Sequence, residues 1–269
     1  MAVHAHPDDE SSSTGGVLAR YSAEGFQTVV VTCTNGEFGD GPGHVKPGEP
    51  GHDEGQVARR RLAELDVACA RLGVTHLELL GYHDSGMDTW EYKSRPDAFC
   101  NVALDVSAGR VADLMRRYEP DVVVTYDDRG GYNHPDHLQA HRVAVAAAER
   151  TGIPAKLYLT ARPARTWARL REVLAELGQE MPARPVPDED RRRMMEEAEQ
   201  RITTAVDTSA VVERKRSALL AHASQLDESW FAKLPDDAFV ELFAQEYFIR
   251  SYDRTGAAVP ENDLFAGLR

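Results

Sequence analysis

Strand-like and helix-like segments alternate along the first 160 residues of the chain. The runs FQTVVVTCT (26–34) and PDVVVTY (120–126) are rich in β-branched residues, which is typical of strands buried on both faces of a sheet. Residues 54–72 place apolar side chains at helical spacing and stop at Gly73, as a helix does at a glycine C-cap. This order predicts an α/β fold, a Rossmann-like and mostly parallel sheet with helices on both faces.

The other segments extend this pattern and suggest how the chain is organised. Strands are predicted for AVH (2–4), HLELLGY (76–82) and KLYLT (156–160), and helices for residues 12–25, 104–117 and 134–152. After Ala161 the sequence becomes helical and highly charged, and EYFIRSY (246–252) predicts a late strand at the edge of the sheet. We therefore expect residues 1–160 to form an α/β core, and residues 161–269 to form a helical and late-strand elaboration packed on the same domain.

Charge, hydropathy and cysteine content exclude several classes of protein. The formal net charge of −13 disfavours binding to nucleic acid, which requires clustered Lys and Arg. No apolar run approaches the roughly 20 residues of a membrane span. Cys33, Cys69 and Cys100 are far apart and odd in number, which fits neither a disulfide framework nor a CxxC metal site. No secretory signal precedes His4, so we expect a cytoplasmic protein with reduced cysteines.

Two clusters of histidine and aspartate follow predicted strands. HAHPDDE (4–10) follows the first strand, and DDRGGYNHPDH (127–137) follows PDVVVTY. Because ligands of parallel α/β sheets bind at the carboxyl ends of the strands, we expect both clusters at the same edge of the sheet. That edge is the predicted functional site.

The residue types in the two clusters are those of a metal site. His6 and Asp9 are three residues apart, and His134 and His137 are three residues apart at a helix start, so each pair can point to one side. Two histidines and one carboxylate are a common ligand set for zinc or ferrous iron, and a fourth position left open is typical of catalytic zinc. A single such cluster is more often caps and surface polar groups, but two clusters at one edge favour a metal site.

The two motifs also carry a family resemblance. AHPDDE (5–10) followed by GGYNHPDH (130–137) resembles the signature of the PIG-L/LmbE family of zinc-dependent N-deacetylases and amidases. The segments CTNGEFGD, RRLAEL, DSGM and ENDLFAGL resemble the actinobacterial branch that acts on mycothiol and related glucosaminides. The resemblance implies a metal-dependent hydrolase that removes an N-acyl group, acetyl above all, from a glucosaminyl-type substrate. It makes residues 1–160 the metal-binding catalytic core.

The resemblance implies a role for each residue of the two motifs. His6, Asp9 and His137 match the metal ligands, with Zn²⁺ as the expected ion and Fe²⁺ as an alternative. Asp8 matches the general base, which would take a proton from the attacking water. His134 matches the residue that would stabilise the oxyanion or protonate the leaving amine, and Asp136 matches the residue that would orient His134. Tyr132 matches a mobile tyrosine that would reach the substrate carbonyl.

The resemblance also implies substrate contacts, but different segments of the sequence point to different substrates. Arg61 and Asp84 match positions that contact the sugar, and Glu37 is a further candidate, although each alone would be interpreted as an ordinary surface charge. Ser13 stands where the deacetylase branch has serine, whereas mycothiol S-conjugate amidases carry a lysine nearby. The terminal DLFAGL, however, resembles the amidase branch. A conjugate amidase therefore remains the alternative function.

Two more distant hypotheses compete with a deacetylase. A ferrous oxygenase uses the same two-histidine, one-carboxylate set, but it needs no base such as Asp8 and usually has a β-barrel fold. A non-catalytic sugar-binding relative would first have lost Asp8 or a ligand, and all of these residues are present. A dinucleotide-binding protein is excluded because no GxGxxG follows the first strand. The expected partner is a small-molecule N-acyl glucosaminide, without nucleic acid or membrane, and a homo-oligomer is left open.

Overall fold

A single sheet of seven strands organises the parts of the chain that the computed structural model describes, which are residues 1–179, 188–226 and 230–269. The strands are β1 (Ala2–His4), β2 (Val29–Thr34), β3 (His76–Tyr82), β4 (Val122–Thr125), β5 (Lys156–Ala161), β6 (Thr204–Asp207) and β7 (Gln245–Asp253). The helices are α1 (Asp9–Ala23), α2 (Glu54–Leu72), α3 (Leu104–Tyr118), α4 (Gly130–Asn133), α5 (Pro135–Thr151), α6 (Ala164–Glu176), α7 (Asp188–Gln200), α8 (Val212–Leu219), α9 (Ala223–Leu226), α10 (Trp230–Lys233) and α11 (Asp236–Phe243).

The strand order is β3-β2-β1-β4-β5-β7-β6. The first five of these strands pair in parallel, with Val3 opposite Val31 and Ala2 opposite Val124. β7 is antiparallel to both β5 and β6. The predicted α/β fold with a mostly parallel sheet is therefore confirmed.

One strand lies elsewhere than predicted, and another was missed. The EYFIRSY strand, β7, lies between β5 and β6, so the prediction that it forms the sheet edge is wrong. The edge is β6, whose four residues, TAVD, alternate buried and more exposed positions. A four-residue strand in a charged, helix-rich region is too short to give a pattern of period two.

Alternate residues of the central strands face two different helical layers. Val3, Val31 and Val123 pack with α3 and α5, where Val111 and Val143 are fully buried. The residues that point the other way, Ala2 and Val30, pack with Leu65 and Leu72 of α2 and with Ala218 of α8. The short β1 is therefore covered on both faces, which fixes where its carboxyl end, and the turn after it, must lie.

Residues 253–269 are attached to the sheet by a buried polar network around Glu261. The Glu261 carboxylate accepts hydrogen bonds from Lys156 Nζ (2.5 Å), Tyr158 Oη (2.8 Å) and Thr204 Oγ1 (3.0 Å). Leu264 is buried in a cluster that includes Tyr21 of α1. Because each buried polar atom of this network has a partner, the terminal segment is held in one position against β5 and β6.

None of the described helices is both long enough and apolar enough to cross a bilayer.

Candidate metal centre and active site

The two polar motifs leave adjacent parallel strands at the same edge of the sheet. β1 ends at His4 and α1 begins at Asp9, so the turn between them carries Asp8, which has a positive φ of 113°. β4, the neighbour of β1, ends at Thr125, and α5 begins at Pro135 with His134 as its N-cap. Both motifs are thus strand-to-helix turns, which explains why short, polar, proline-containing sequences carry them.

Three side chains converge on one point. His6 Nδ1 and Asp9 Oδ2 are 3.3 Å apart, His137 Nε2 and Asp9 Oδ2 are 3.5 Å apart, and His137 Nε2 and His6 Nδ1 are 3.3 Å apart. A zinc ion with ligands at about 2.0–2.1 Å in tetrahedral geometry holds the ligand atoms roughly 3.3–3.4 Å from one another. The three side chains therefore fit a metal ion of this size, with a fourth position free.

The contacts around the two histidines leave the converging nitrogens available as ligands. His6 Nε2 lies 3.2 Å from Asp136 Oδ2, and His137 Nδ1 lies 3.1 Å from the Gly130 carbonyl oxygen. Each acceptor favours a proton on the nitrogen that faces it, which leaves the lone pair of the other nitrogen directed at the common point. The Tyr126 ring stacks on His137 with centroids 4.1 Å apart and further fixes that imidazole.

The charges of the site favour a cation. Burial lowers the pKa of His137 to about 4, so this imidazole is neutral at neutral pH. Burial also acts to lower the pKa of His6, but the Asp84, Asp136 and Asp9 carboxylates outweigh it and raise the pKa well above its ordinary value. Carboxylates that stabilise a proton on His6 also stabilise a divalent ion in its place. The sets His6–His134–His137 and His6–Asp84–His134–Asp136 are likewise close enough to hold an ion.

Asp8 lies beside the converging ligands, where Arg61 holds it. Arg61 Nη2 donates to Asp8 Oδ2 (3.0 Å) and to the Pro7 carbonyl oxygen (2.7 Å), and Nη1 donates to the Gly36 carbonyl oxygen (2.8 Å). Burial raises the pKa of Asp8 to about 6, although Arg61 opposes this shift. A carboxylate with a pKa near 6 is a suitable general base at neutral pH.

His134 and Asp136 make different contacts from those predicted. The His134 Nδ1 atom accepts the backbone N–H of Asp136 (3.2 Å), as an N-cap does. The Asp136 carboxylate contacts His6 and accepts the Ser85 backbone N–H (2.9 Å). The prediction that the Asp136 carboxylate orients His134 is therefore wrong, because the backbone amide does so. With Nδ1 as acceptor, the neutral His134 ring carries its proton on Nε2.

Tyr132 lies at the rim of the site. Its ring centroid is 5.1 Å from that of His137 and 5.8 Å from that of His134, and the residue is 37% exposed. It follows Gly131, which has a positive φ of 70°. Tyr132 is thus close enough to reach a substrate bound over the histidines.

A cavity of about 360 Å³ opens over the converging ligands. Its wall includes the polar residues Asp8, Asp9, Ser13, Tyr132 and His137. It also includes apolar and aromatic side chains and two arginines, namely Trp167, Leu219, Leu226, Trp230, Phe231, Arg129 and Arg162. A cavity whose wall combines apolar side chains with a few polar groups is typical of a small-molecule site.

Three of the predicted substrate contacts do not line this cavity. Arg61, Asp84 and Glu37 are 5%, 4% and 7% exposed. Asp84 Oδ1 accepts the Gly86 N–H (2.8 Å), and Glu37 accepts the N–H groups of Asn35 Nδ2 (2.8 Å) and Asp84 (3.0 Å). These carboxylates thus hold the loops that follow β2 and β3. The structure places Ser13, but not these three, at the cavity.

The sequence carries a signal for the burial of Arg61. The buried positions of α2 include Val57, Arg61, Leu65, Ala68 and Leu72, which have a helical spacing of three to four residues. A charge within such an apolar stripe is expected to be paired, since an unpaired buried charge is costly. The contacts of Arg61 with Asp8 and two carbonyl groups fulfil that requirement.

Comparison with known proteins decides the family. A family model described as PIG-L, GlcNAc-PI de-N-acetylase, matches residues 1–148. A curated relative from Acidothermus cellulolyticus, named 1D-myo-inositol 2-acetamido-2-deoxy-alpha-D-glucopyranoside deacetylase, is 41% identical and covers 100% of this chain and 94% of its own length. This chain belongs to the PIG-L family. The family membership predicted from the two motifs is thereby confirmed.

Solved structures share the fold of this PIG-L chain at low sequence identity. The 4-carboxy-2-hydroxymuconate hydratase GalB from Pseudomonas putida KT2440 has a TM-score of 0.63 at 19% identity and covers 96% of this chain and 97% of its own. The A40926 pseudoaglycone deacetylase Dbv21 has a TM-score of 0.59 at 19% identity, with coverages of 93% and 96%. Because a hydratase and a deacetylase share this fold, the fold alone does not define the reaction.

The range matched by the PIG-L family model ends before the aromatic residues of the cavity wall. The matched range, 1–148, contains both motifs, whereas Trp167, Trp230 and Phe231 lie beyond it. These residues come from α6 and α10, helical segments without a chemical motif. Sequence reasoning missed them because an aromatic residue on an amphipathic helix is usually interpreted as core.

A second buried pair lies behind Asp8. His222 Nε2 and Glu10 Oε1 are 2.8 Å apart, and Glu10 Oε2 accepts the Asp8 backbone N–H (2.9 Å). Both side chains are completely buried. The pair thus supports, from inside the fold, the backbone of the turn that carries Asp8.

Proposed function

We propose that this PIG-L protein is a metal-dependent N-deacetylase that hydrolyses the acetamido group of a glucosaminyl substrate to acetate and a free amine. The observation that carries the proposal is the convergence of His6, Asp9 and His137 at the floor of a cavity that also contains Asp8. The relative from Acidothermus cellulolyticus, which is named a deacetylase of a 2-acetamido glucopyranoside, supports the reaction and the substrate class.

His6, Asp9 and His137 would hold the metal ion, with Zn²⁺ as the expected ion and Fe²⁺ as the alternative. We prefer this set because the other candidates are already engaged: His134 Nδ1 accepts a backbone N–H, and Asp136 bonds to His6 and Ser85. When bound, such an ion acts as a Lewis acid and lowers the pKa of a water molecule to about 7.

The chain's own residues handle the protons. Asp8, oriented by Arg61, accepts a proton from the attacking water and can return it to the amine nitrogen as the carbon–nitrogen bond breaks. His134 carries its proton on Nε2 and can donate a hydrogen bond to the oxyanion that develops on the carbonyl oxygen. Tyr132 is placed to add a second donor from the rim.

The contacts with the sugar come from the cavity wall in this proposal. Ser13 and Tyr132 are polar residues of this wall. Arg61, Asp84 and Glu37 are buried, so we propose that they support the site by fixing Asp8 and the neighbouring loops. We retain the cytoplasm as the proposed location and a small-molecule N-acyl glucosaminide as the proposed partner.

A mycothiol S-conjugate amidase is the second candidate. The observation that favours it is the apolar part of the cavity wall, where the stacked rings of Trp230 and Phe231 have centroids 3.6 Å apart. Such a wall suits an acyl group or an aglycone that is larger and less polar than acetyl or inositol.

A metal analysis and a fluorescamine assay of released amine test the two candidates together. We expect about one equivalent of zinc or iron per chain and faster turnover of an N-acetylglucosaminyl inositol than of a bulky N-cysteinyl glucosaminide. The reverse order of kcat/KM for these two substrates would identify an amidase. A metal-loaded protein that releases amine from neither would contradict the proposed function.

A further inference from the structure

The turn that carries Tyr132 has an unusual backbone. Gly130 and Gly131 have positive φ values of 57° and 70°, and Asn133 has a positive φ of 63°. Positive φ values cost little for glycine, but three of them within the four residues of α4 make it an irregular turn that depends on its hydrogen bonds. The orientation of Tyr132 therefore depends on what holds this turn.

The two glycines of the turn meet different surroundings. A Cβ at Gly130 would lie 2.8 Å from His137 Cβ and 2.9 Å from the Leu138 nitrogen, so Gly130 is packed against α5. A Cβ at Gly131 would meet no atom within 4 Å. Gly130 is thus packed against its neighbours, whereas no close packing surrounds the Cα of Gly131, directly before Tyr132, so hydrogen bonds must position its peptide.

The Asp127 carboxylate holds that peptide. Asp127 Oδ1 accepts the backbone N–H of Gly131 (2.7 Å), and the Asp127 carbonyl oxygen accepts that of Gly130 (3.0 Å). Asp127 is only 8% exposed and lies on the wall of the cavity. A short hydrogen bond that a backbone N–H donates to a carboxylate is charge-assisted and stronger than one between two neutral groups.

We propose that Asp127 is a positioning residue for the reaction: its carboxylate fixes the Gly131 peptide and thereby holds the Tyr132 hydroxyl over the histidines. The inference rests on the proposed function, in which Tyr132 donates to the substrate carbonyl. It assigns to Asp127 no contact with the reacting atoms. The Asp127 hydrogen bond restricts the orientations of the Tyr132 side chain to those that reach the substrate.

The neighbouring Asp128 provides a matched control. Asp128 carries the same side chain one residue later, but it is exposed and pairs with Arg201, with Asp128 Oδ1 and Arg201 Nη1 2.9 Å apart. The Gly131 N–H bonds to Asp127 and the Asp128 carboxylate to Arg201, so substitution of Asp128 removes a charge from the same turn without releasing the Gly131 peptide. A general effect of charge on the turn would appear equally in Asp127→Ala and Asp128→Ala.

The test is a double-mutant cycle between Asp127 and Tyr132 in the metal-loaded enzyme, with amine release from an N-acetylglucosaminide as the readout. We expect Asp127→Ala to lower kcat by about tenfold to a hundredfold with little change in KM, metal content or Tm. Asp127→Asn, which retains an acceptor oxygen, should recover much of that loss, and Asp128→Ala should keep the rate of the unsubstituted enzyme. In a Tyr132→Phe background, Asp127→Ala should cost little more.

The contrary results separate the inference from the function on which it rests. If Tyr132→Phe is slow and Asp127→Ala is as fast as the unsubstituted enzyme, the positioning role is wrong and that of Tyr132 stands. The positioning role is also wrong if Asp127→Ala slows the Tyr132→Phe enzyme by the same factor as the unsubstituted one. If Tyr132→Phe itself keeps full kcat, the proposed role of Tyr132 fails, and the role of Asp127 fails with it.

Discussion

On one side of the converging ligands lie buried charged groups, and on the other side lies an open cavity. Asp136 is fully buried and Asp84 nearly so, and their carboxylates accept backbone N–H groups and approach His6. On the cavity side, Ser13 and Tyr132 face open space that continues to Trp230. Both sides are close to the same three ligand atoms, yet one is closed by hydrogen bonds and the other is accessible.

The difference separates two tasks within one site. Buried carboxylates that are fully hydrogen-bonded set the position and protonation of the ligands, and their loss leaves unpaired groups in a medium of low polarity. Residues at an open cavity wall contact the substrate and can change with little effect on the ligands. We therefore expect substitutions on the buried side to alter metal binding and those on the cavity side to alter substrate choice.

The largest effect is expected at Asp8, where the two sides meet. Asp8→Ala should lower kcat about 10²–10⁴-fold, the usual contribution of a general base, while the metal content stays near that of the unsubstituted protein. Turnover and metal content of the same preparation are the measurements. His6→Ala is the control, since it should lose both, and full activity in Asp8→Ala would contradict the proposed base.

Asp136→Ala tests the buried side. Removing the acceptor of His6 Nε2 should weaken metal affinity about 10–100-fold, the typical effect of losing a partner of a metal-binding histidine. Competition with a chelator of known affinity measures the change. Ser13→Ala, on the cavity side, should leave the affinity unchanged. If Asp136→Ala and the unsubstituted protein bind the metal with equal affinity, the buried side does not control metal binding.

The pH dependence tests the pair of Asp8 and Arg61. A base must be deprotonated, so kcat/KM should fall as pH decreases through the pKa of Asp8, which is about 6 without a metal and lower beside a bound cation. Arg61 lowers this pKa, so Arg61→Ala should move the acidic limb of the profile to higher pH by about one unit. If the acidic limb of the Arg61→Ala profile stays at the same pH, Arg61 does not lower the pKa of Asp8.

Trp230→Ala tests the cavity side and should have the smallest effect on the basal reaction. Loss of this ring should reduce kcat/KM about tenfold for a glucosaminide with an apolar aglycone, the scale of a lost apolar contact, and hardly at all for N-acetylglucosamine. Rates for the two substrates in parallel measure the difference. Equal losses for both would mean that Trp230 supports the fold rather than the substrate.

The sequence allowed prediction of the parts of the site whose chemistry and position are both local. The ligand motifs follow β1 and β4 directly, so strand order and residue type predicted that His6, Asp9 and one histidine of the second motif lie together, and the family resemblance implied that this histidine is His137. The direction of the Asp136 carboxylate depends on Ser85, which is 51 residues away, and could not be predicted from a local pattern. The aromatic wall is similarly assembled from distant helices, and only tertiary packing brings it to the cavity.

The network around Glu261 bears on how members of this family can be sorted by substrate. ENDLFAGL was one of the two conflicting signals, since it resembles the conjugate amidases, yet among the described residues its members contact β5, β6 and α1 and are not part of the cavity wall. A segment bonded to the sheet in this way supports the architecture and contributes no wall to the cavity. Relatives are therefore better divided by the residues at positions 13, 167 and 230, which line the cavity, than by their last ten residues.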